Sequence, residues 1–428
     1  MAEILSLQQP TGEGGIESVR FFNGRLLTAA DLAREQDARR QGDARLASAL
    51  GDGVAAGLEV TLATLAESGD AAGPLPAVTI TPGLALNRAG QALRLGAEET
   101  VRLSRIAADS PGGPQGCSFG DCAPAVGGTY VAGQGLYLLT IAPAEIASGR
   151  APANGLSGAA APCNVDRVVE AVQFRLLAVP PHLQTFDAAA PGYRNAVAHA
   201  CFGSGVRADW GTDLLRHVAR DGGLVEQMRG YGLSDHDVPL AVIAFAGAAV
   251  PVFLDCWAVR RPVSRPDPGP GSLPSLAAPR RPAVGEAIFR QFQQHLAELV
   301  GASGNLGGVT AQKNFPVLPP VGILPHFTLA MARDFFAGME ARGPLHINSA
   351  QLEPLVRESL SAPAFPAAGK EVFWLYAIAD NRIAAELANN DPEVPDPYLV
   401  FSTANLAYRA DARFNLHRWD YANIALSA

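Results

Sequence analysis

At 428 residues, 48% hydrophobic and 17% charged, the chain is long enough for two or three domains and too apolar for global disorder. A net charge of -8 and a pI near 5.5 argue against nucleic acid as the main partner. The only basic clusters, Arg39-Arg40, Arg260-Arg261 and Arg280-Arg281, are isolated pairs in mixed surroundings. The five cysteines, Cys117, Cys122, Cys163, Cys201 and Cys256, are an odd and sparse set that reads as free thiols, not as a disulfide framework. No basic start and apolar core of a signal peptide follows Met1. The most hydrophobic run, Val238 to Val252, is short and broken by Pro239 and Pro251. The expectation is a cytoplasmically built protein without direct membrane insertion.

The leader Val19 to Leu27 reads as a strand or anchor that turns at Asn23-Gly24. Thr28 is placed to cap a long helix, Ala29 to Leu50, ending at Gly51. Its middle is densely charged and its large apolar residues are only Leu32, Leu46 and Leu50, so it either lies on a surface or packs on a partner. The pattern then turns to strand: Gly57 to Leu62, Ala77 to Thr81, Leu84 to Leu86, Gln91 to Leu95 after an Asn87-Arg88-Ala89-Gly90 turn, and Thr100 to Leu103. Residues 107–134, rich in Gly, Pro and Cys, read as a loop. Strands resume at Gly135 to Ile141 and Val168 to Val179, the second too long to stay flat without a bend or bulge.

Helices are expected at Tyr193 to Gly203 and Trp210 to Arg229. Val238 to Ala246 and Val252 to Val259, apolar on both faces, read as a hairpin in a sheet covered on both sides. Residues 263–282 form a Pro-rich linker. Beyond it come a helix from Val284 to Ala302, a proline-rich extended stretch from Phe315 to Pro325, helices at Ala330 to Ala341 and Ser349 to Leu360, and strands at Glu371 to Ala379 and Tyr398 to Ser402. Trp419, Tyr421 and Ile424 suggest a docked C-terminus. The fold class is α+β: residues 1–52 anchor and helix, 53–262 a β-rich, sandwich-like domain with helices at 193–229, and 283–428 a mixed α/β C-terminal domain.

Chemistry leaves little trace. The chain has no phosphate-binding glycine loop, dinucleotide fingerprint, nucleophile elbow or paired-histidine zinc helix, and it reads as a non-enzyme without a cofactor. Cys117 and Cys122, with Cys163 or a histidine, are the weak metal candidates, at a spacing wider than a zinc knuckle prefers. Asp235-His236-Asp237 could move protons, but consecutive side chains diverge, so a turn before the strand at Val238 is the plainer reading. His199 and Cys201 read as core residues.

The run Phe21-Phe22-Asn23-Gly24-Arg25-Leu26-Leu27-Thr28-Ala29-Ala30-Asp31-Leu32, with Gly51 to Val60 after the helix, resembles an uncharacterised family associated with contractile phage-tail-like particles. The resemblance continues at Thr79 to Leu86, Asp237 to Ala241, Asp255-Cys256-Trp257-Ala258-Val259-Arg260-Arg261 and Asn314 to Pro325. The opening is also loosely similar to the baseplate connector of type VI secretion, though the chain departs from that pattern after about residue 60. These resemblances imply a structural subunit at a baseplate, spike surround or fibre attachment, homo-oligomeric within the assembly and released with an extracellular particle in some systems. Phe21, Phe22, Arg25, Leu26, Leu27, Leu318, Pro319 and Pro320 are the expected subunit contacts. The alternatives are a receptor- or carbohydrate-binding fibre module, which 7% aromatic content weakens, and a particle-borne hydrolase using Asp235, His236 and Asp237.

Overall fold

In the computed structural model, which describes residues 13–65, 75–103, 133–150, 165–204, 223–246, 251–265, 280–301, 306–325, 327–378 and 398–403, the chain is α+β and rich in strand. Helix α1, Ala29–Leu50, starts where Thr28 and Asp31 exchange side-chain and backbone hydrogen bonds in a capping box, and it stops at Gly51. The expected strand from Gly57 is in fact two. Strand β1, Gly53–Gly57, and strand β2, Val60–Leu65, belong to different sheets because Gly57 and Leu58 both adopt left-handed backbone, at φ 59° and 57°. A Cβ on Gly57 would collide with the Pro82 carbonyl. Leu58 accepts the left-handed geometry, at a cost of about 1 kcal/mol, with its side chain wholly buried in the core.

Strands β3 (Leu75–Ile80), β4 (Gly83–Leu86), β5 (Ala92–Leu95) and β6 (Glu99–Arg102) complete two antiparallel three-stranded sheets, ordered β1-β4-β5 and β2-β3-β6. A third sheet has the order β10-β9-β7-β8, built from β7 (Gly135–Arg150), β8 (Val165–Ala178), β9 (Val238–Phe245) and β10 (Pro251–Asp255). Alternation along β7 sends Tyr137, Leu139 and Ile141 into a core shared with the two smaller sheets. Leu136 and Leu138 face the opposite way, toward helix α2, Tyr193–Phe202, and the short α3, Leu224–Gln227. The apolar β9–β10 hairpin is thus covered on both faces, as its sequence implies.

Helix α4, Arg280–Val300, runs between the two halves of the protein. Ala287 and Ile288 pack under the large sheet, whereas Phe292, Leu296 and Val300 enter a phenylalanine-rich core. There Phe292, Phe315, Phe335, Phe336, Phe373 and Phe401 meet largely edge to face, with centroids 4.7 to 5.9 Å apart. The remaining elements are α5 (Ala311–Asn314), β11 (Val317–Leu318), β12 (Val321–Leu324), α6 (Leu329–Phe335), β13 (Glu340–Ile347), α7 (Ser349–Ser359), β14 (Phe365–Pro366), β15 (Val372–Ile378) and β16 (Tyr398–Ser402). A four-stranded sheet, β12-β16-β15-β13, contains a parallel β13–α7–β15 unit. The outer edge of β12 is closed by Gln293 of α4, whose amide both donates to the Ile323 carbonyl at 2.9 Å and accepts from its N–H at 2.8 Å.

Other expectations change as well. The expected helix Ala330 to Ala341 stops at Phe335, and the chain turns into β13, whose Glu-Ala-Arg-Gly-Pro opening carries no strand signal. The leader forms a turn in place of a strand. Strand β10 ends at Asp255, short of Val259, because the Asp255 carboxylate accepts the Ala258 N–H at 2.9 Å and closes a turn. The linker is shorter than expected: Arg280 already opens α4, and Pro262 and Ser264 bridge to Val54 and Asp52.

That turn ties the layers together. Asp255, almost fully buried, accepts from Arg194 Nε at 2.8 Å and from Gln291 Nε2 at 2.9 Å, joining the sheet to α2 and α4. Cys256 Sγ donates to the Val60 carbonyl at 3.1 Å, and Arg260 donates to the Gly57 carbonyl, so the same turn grips the break between β1 and β2. Trp257 is stacked by Arg260 and Arg290, each 4.8 Å from its ring, and Arg261 lies 4.4 Å over Phe202. Replacing Asp255 by Ala leaves the Gln291 amide, the Ala258 N–H and the buried Nε of Arg194 without this acceptor, while the terminal nitrogens of Arg194 still reach Glu298. It should cost about 3–5 kcal/mol in urea denaturation, whereas the double change Asp255→Leu with Arg194→Met should recover much of that. A loss under about 1 kcal/mol for Asp255→Ala would show that the ion pair is peripheral to stability.

Candidate functional site

The leader is organised by one side chain. Arg25 donates to the Arg20 carbonyl at 2.9 Å and to Asp31 Oδ1 at 2.6 Å, and its guanidinium lies 6.0 Å from the Phe22 ring. Asp31 is held below the usual carboxylate range by the Thr28 hydroxyl and backbone N–H and by Arg25. Gly24, at φ 90°, lets the chain reverse between Phe22 and Arg25. The result is a hydrogen-bonded turn at the start of α1 that holds Phe21, Phe22, Leu26 and Leu27 outward, with Leu26 90% and Phe22 65% exposed. Helix α1 buries none of its own residues, and Leu32, Arg39, Leu46 and Leu50 fall on one exposed stripe at helical spacing. Four of the expected contact residues, Phe21, Phe22, Leu26 and Leu27, are therefore exposed, and the fifth, Arg25, holds the turn that carries them. The other three are not exposed: Leu318, Pro319 and Pro320 are buried inside the C-terminal half, where Leu318 pairs with Phe365 and packs in the phenylalanine core, so they cannot meet a partner.

A second exposed element is legible only in part in the sequence, as the strand from Val168. Strand β9 pairs with β7 only as far as Ile141, yet β7 continues to Arg150 against β8 back to Val165. From Ala142 onward the hairpin is a two-stranded arm, roughly 30 Å long. It exposes Ile146 by 59% and Val168 by 56%, along with Val165 and Val169. Glu145 sits directly across from Glu170, and neither forms an ion pair among the described residues. The Ala-Pro-Ala-Glu-Ile-Ala stretch of β7 carries too few β-formers to signal a strand; the alternation of β8 was the only clue.

The proton-transfer candidates point apart. Asp237 is buried and accepts from Arg175 at 2.7 Å, Thr140 Oγ1 at 3.0 Å and the Ser234 N–H at 2.9 Å. Burial opposes its charge, but the Ser234 and Thr140 hydrogen bonds and Arg175 outweigh it and hold the carboxyl below the usual range. Asp235 pairs with Arg229 at 2.7 Å, and His236 Nδ1 meets Gln91 Oε1 at 2.8 Å. Nearby, Arg229, Glu226, Arg88, Asp52 and Arg280 alternate in an ion-pair chain that ties α3 and the β4–β5 turn to α4. These charges compensate one another and leave no acid or base poised beside a nucleophile.

Cys201 and Cys256 are buried, their thiols pushed up to about 12 and about 11 by desolvation, which makes them inert. Cys117, Cys122 and Cys163 lie outside the described residues, as do most of the 210–229 helix and Trp419, Tyr421 and Ile424. Among the described residues no group of three or more His, Cys, Asp or Glu could hold a metal ion, and no helix is long and apolar enough to cross a membrane.

No protein-family model matches the chain, and no curated protein matches it.

Two buried histidines set a pH dependence. Desolvation pushes His199 and His295 down to about 3, and Arg194 adds to the effect at His295. Both imidazoles stay neutral in the folded chain while their unfolded counterparts take a proton near pH 6.5, so the unfolded state binds more protons below that pH. Their contribution is complete above about pH 6.5 and falls by about 1.4 kcal/mol per unit for each histidine as the pH drops toward 3. Urea denaturation should show about 2 kcal/mol lost per histidine by about pH 5, and His199→Gln with His295→Gln should flatten the profile. Equal slopes in wild type and variant would mean that water reaches both rings.

Proposed function

We propose that this chain is a structural subunit of a contractile phage-tail-like injection particle, an adaptor at its baseplate, spike surround or fibre attachment that acts through protein-protein contacts. The observation that carries this reading is the leader. Five large apolar side chains, Phe21, Phe22, Leu26, Leu27 and Leu32, are held outward on a hydrogen-bonded turn and the first turn of a helix with no buried residue. Such a surface is costly in water and typical of a subunit whose neighbours cover it. The turn is preorganised by Arg25, so binding there orders little additional chain. The sequence resemblance falls on the same residues, Phe21 to Leu32, which adds to the reading. Its mechanism is bridging: the large sheet and α4 form a braced body, and the leader and helix present a grip at one end.

The reading is tested by capture of the tagged full-length chain from cells that produce it, with mass spectrometry and negative-stain microscopy of the co-purified material. Sheath and tube proteins are expected with the wild type. Phe22→Ser with Leu26→Ser should lower their recovery at least about tenfold while leaving the thermal midpoint unchanged, because both side chains are exposed in the free chain. A monomer that brings down no particle protein would overturn the proposal.

A further inference from the structure

The two elements that the chain leaves uncovered are complementary to each other. On one face of the arm, Glu145 and Glu170 lie directly opposite, flanked by Ala147 with Val168 and by Pro143 with Val172. Like charges across a two-stranded ribbon destabilise it unless a cation sits over them, and a two-stranded ribbon alone is marginal in water. On α1, Arg39 lies in the middle of the leucine stripe, between Leu32 and the pair Leu46 and Leu50, with Arg40 beside it. Both arginines are exposed, and their nearest carboxylates, Glu35 and Asp37, stand 3.9 Å away, too far for a tight pair. From Arg34 to Arg45 four arginines face three carboxylates, Glu35, Asp37 and Asp43, a net charge of +1, and Asp31 brings the whole helix to zero. The arm thus presents two carboxylates between aliphatic side chains, and the helix presents Arg39 on the leucine stripe, beside Asp43, with Arg40 about a quarter-turn away.

Resting on the structural-subunit reading, we propose that the arm of one copy packs on α1 of a second copy of this chain, with Glu145 and Glu170 of the arm meeting Arg39 and Arg40 of the helix. Each copy carries one arm and one helix, so the contact either repeats reciprocally in a dimer or closes a ring. It covers Val168 and Ala147 with the stripe leucines and neutralises the opposed glutamates, which gives the arm the third layer it lacks.

Sedimentation of the full chain tests this. The wild type should self-associate. Glu145→Lys with Glu170→Lys should weaken association at least about tenfold, and so should Arg39→Glu with Arg40→Glu, while all four changes together restore it. All these positions are exposed, so the thermal midpoint of each variant should match the wild type, which separates lost contact from lost fold. Charge reversals that leave the assembly unchanged, or a combined variant that fails to recover, would overturn the contact. A wild-type monomer that still co-purifies with sheath and tube proteins would overturn it too and leave the particle reading standing; a monomer without such proteins would remove both.

Discussion

A carboxylate enclosed almost completely by protein has to be answered by charge and hydrogen bonds, and Asp255 is answered from three directions. Arg194 reaches it from α2, Gln291 from α4 and the Ala258 N–H from its own turn. These donors belong to different layers, so satisfying one buried charge fixes the position of the large sheet against both helices that cover it. The turn it stabilises then places Cys256 and Arg260 against carbonyls at the break between β1 and β2. The registry of the smaller sheets over the large one follows from the same few residues.

Helix α4 extends that constraint into the C-terminal half. One of its faces lies under the large sheet, the next enters the phenylalanine core, and Gln293 closes the edge of β12. Separate hydrophobic cores meet along one helix, which makes the halves a braced unit instead of two beads on a linker. The ion-pair chain from Arg229 to Arg280 anchors the start of the same helix. Its value is positional, since partly exposed pairs add little net stability.

Against this body, the leader, α1 and the β7–β8 arm stand out as elements whose apolar side chains find no cover. The contrast is physical. The body spends buried polar groups to fix its layers, whereas the projecting elements expose leucine, valine and phenylalanine on hydrogen-bonded frames. Rigid frames with uncovered apolar faces suit contacts made once and kept.

Local features were legible in the chain itself: the Thr28 cap, the span of α1, the Asn87 to Gly90 turn, α2, α7 and the doubly covered β9–β10 hairpin all follow from propensity, capping chemistry and periodicity, which act within a few residues. The leader reads as an anchor in the sequence, and its Phe21, Phe22, Leu26 and Leu27 are exposed on the turn before α1. What tertiary structure decided was everything that depends on distant neighbours. Leu58 takes left-handed backbone only because a core encloses its side chain, and β13 forms only because β15 offers it an edge. Asp255 reads as a residue inside the Val252 to Val259 strand until Arg194 and Gln291 arrive from elsewhere in the chain. Leu318, Pro319 and Pro320 look like surface in sequence and are buried because the phenylalanine core closes over them. The arm is the clearest case: β8 reads as a strand, but the Ala-Pro-Ala-Glu-Ile-Ala stretch of β7 does not, and only its pairing with β8 makes it part of a ribbon.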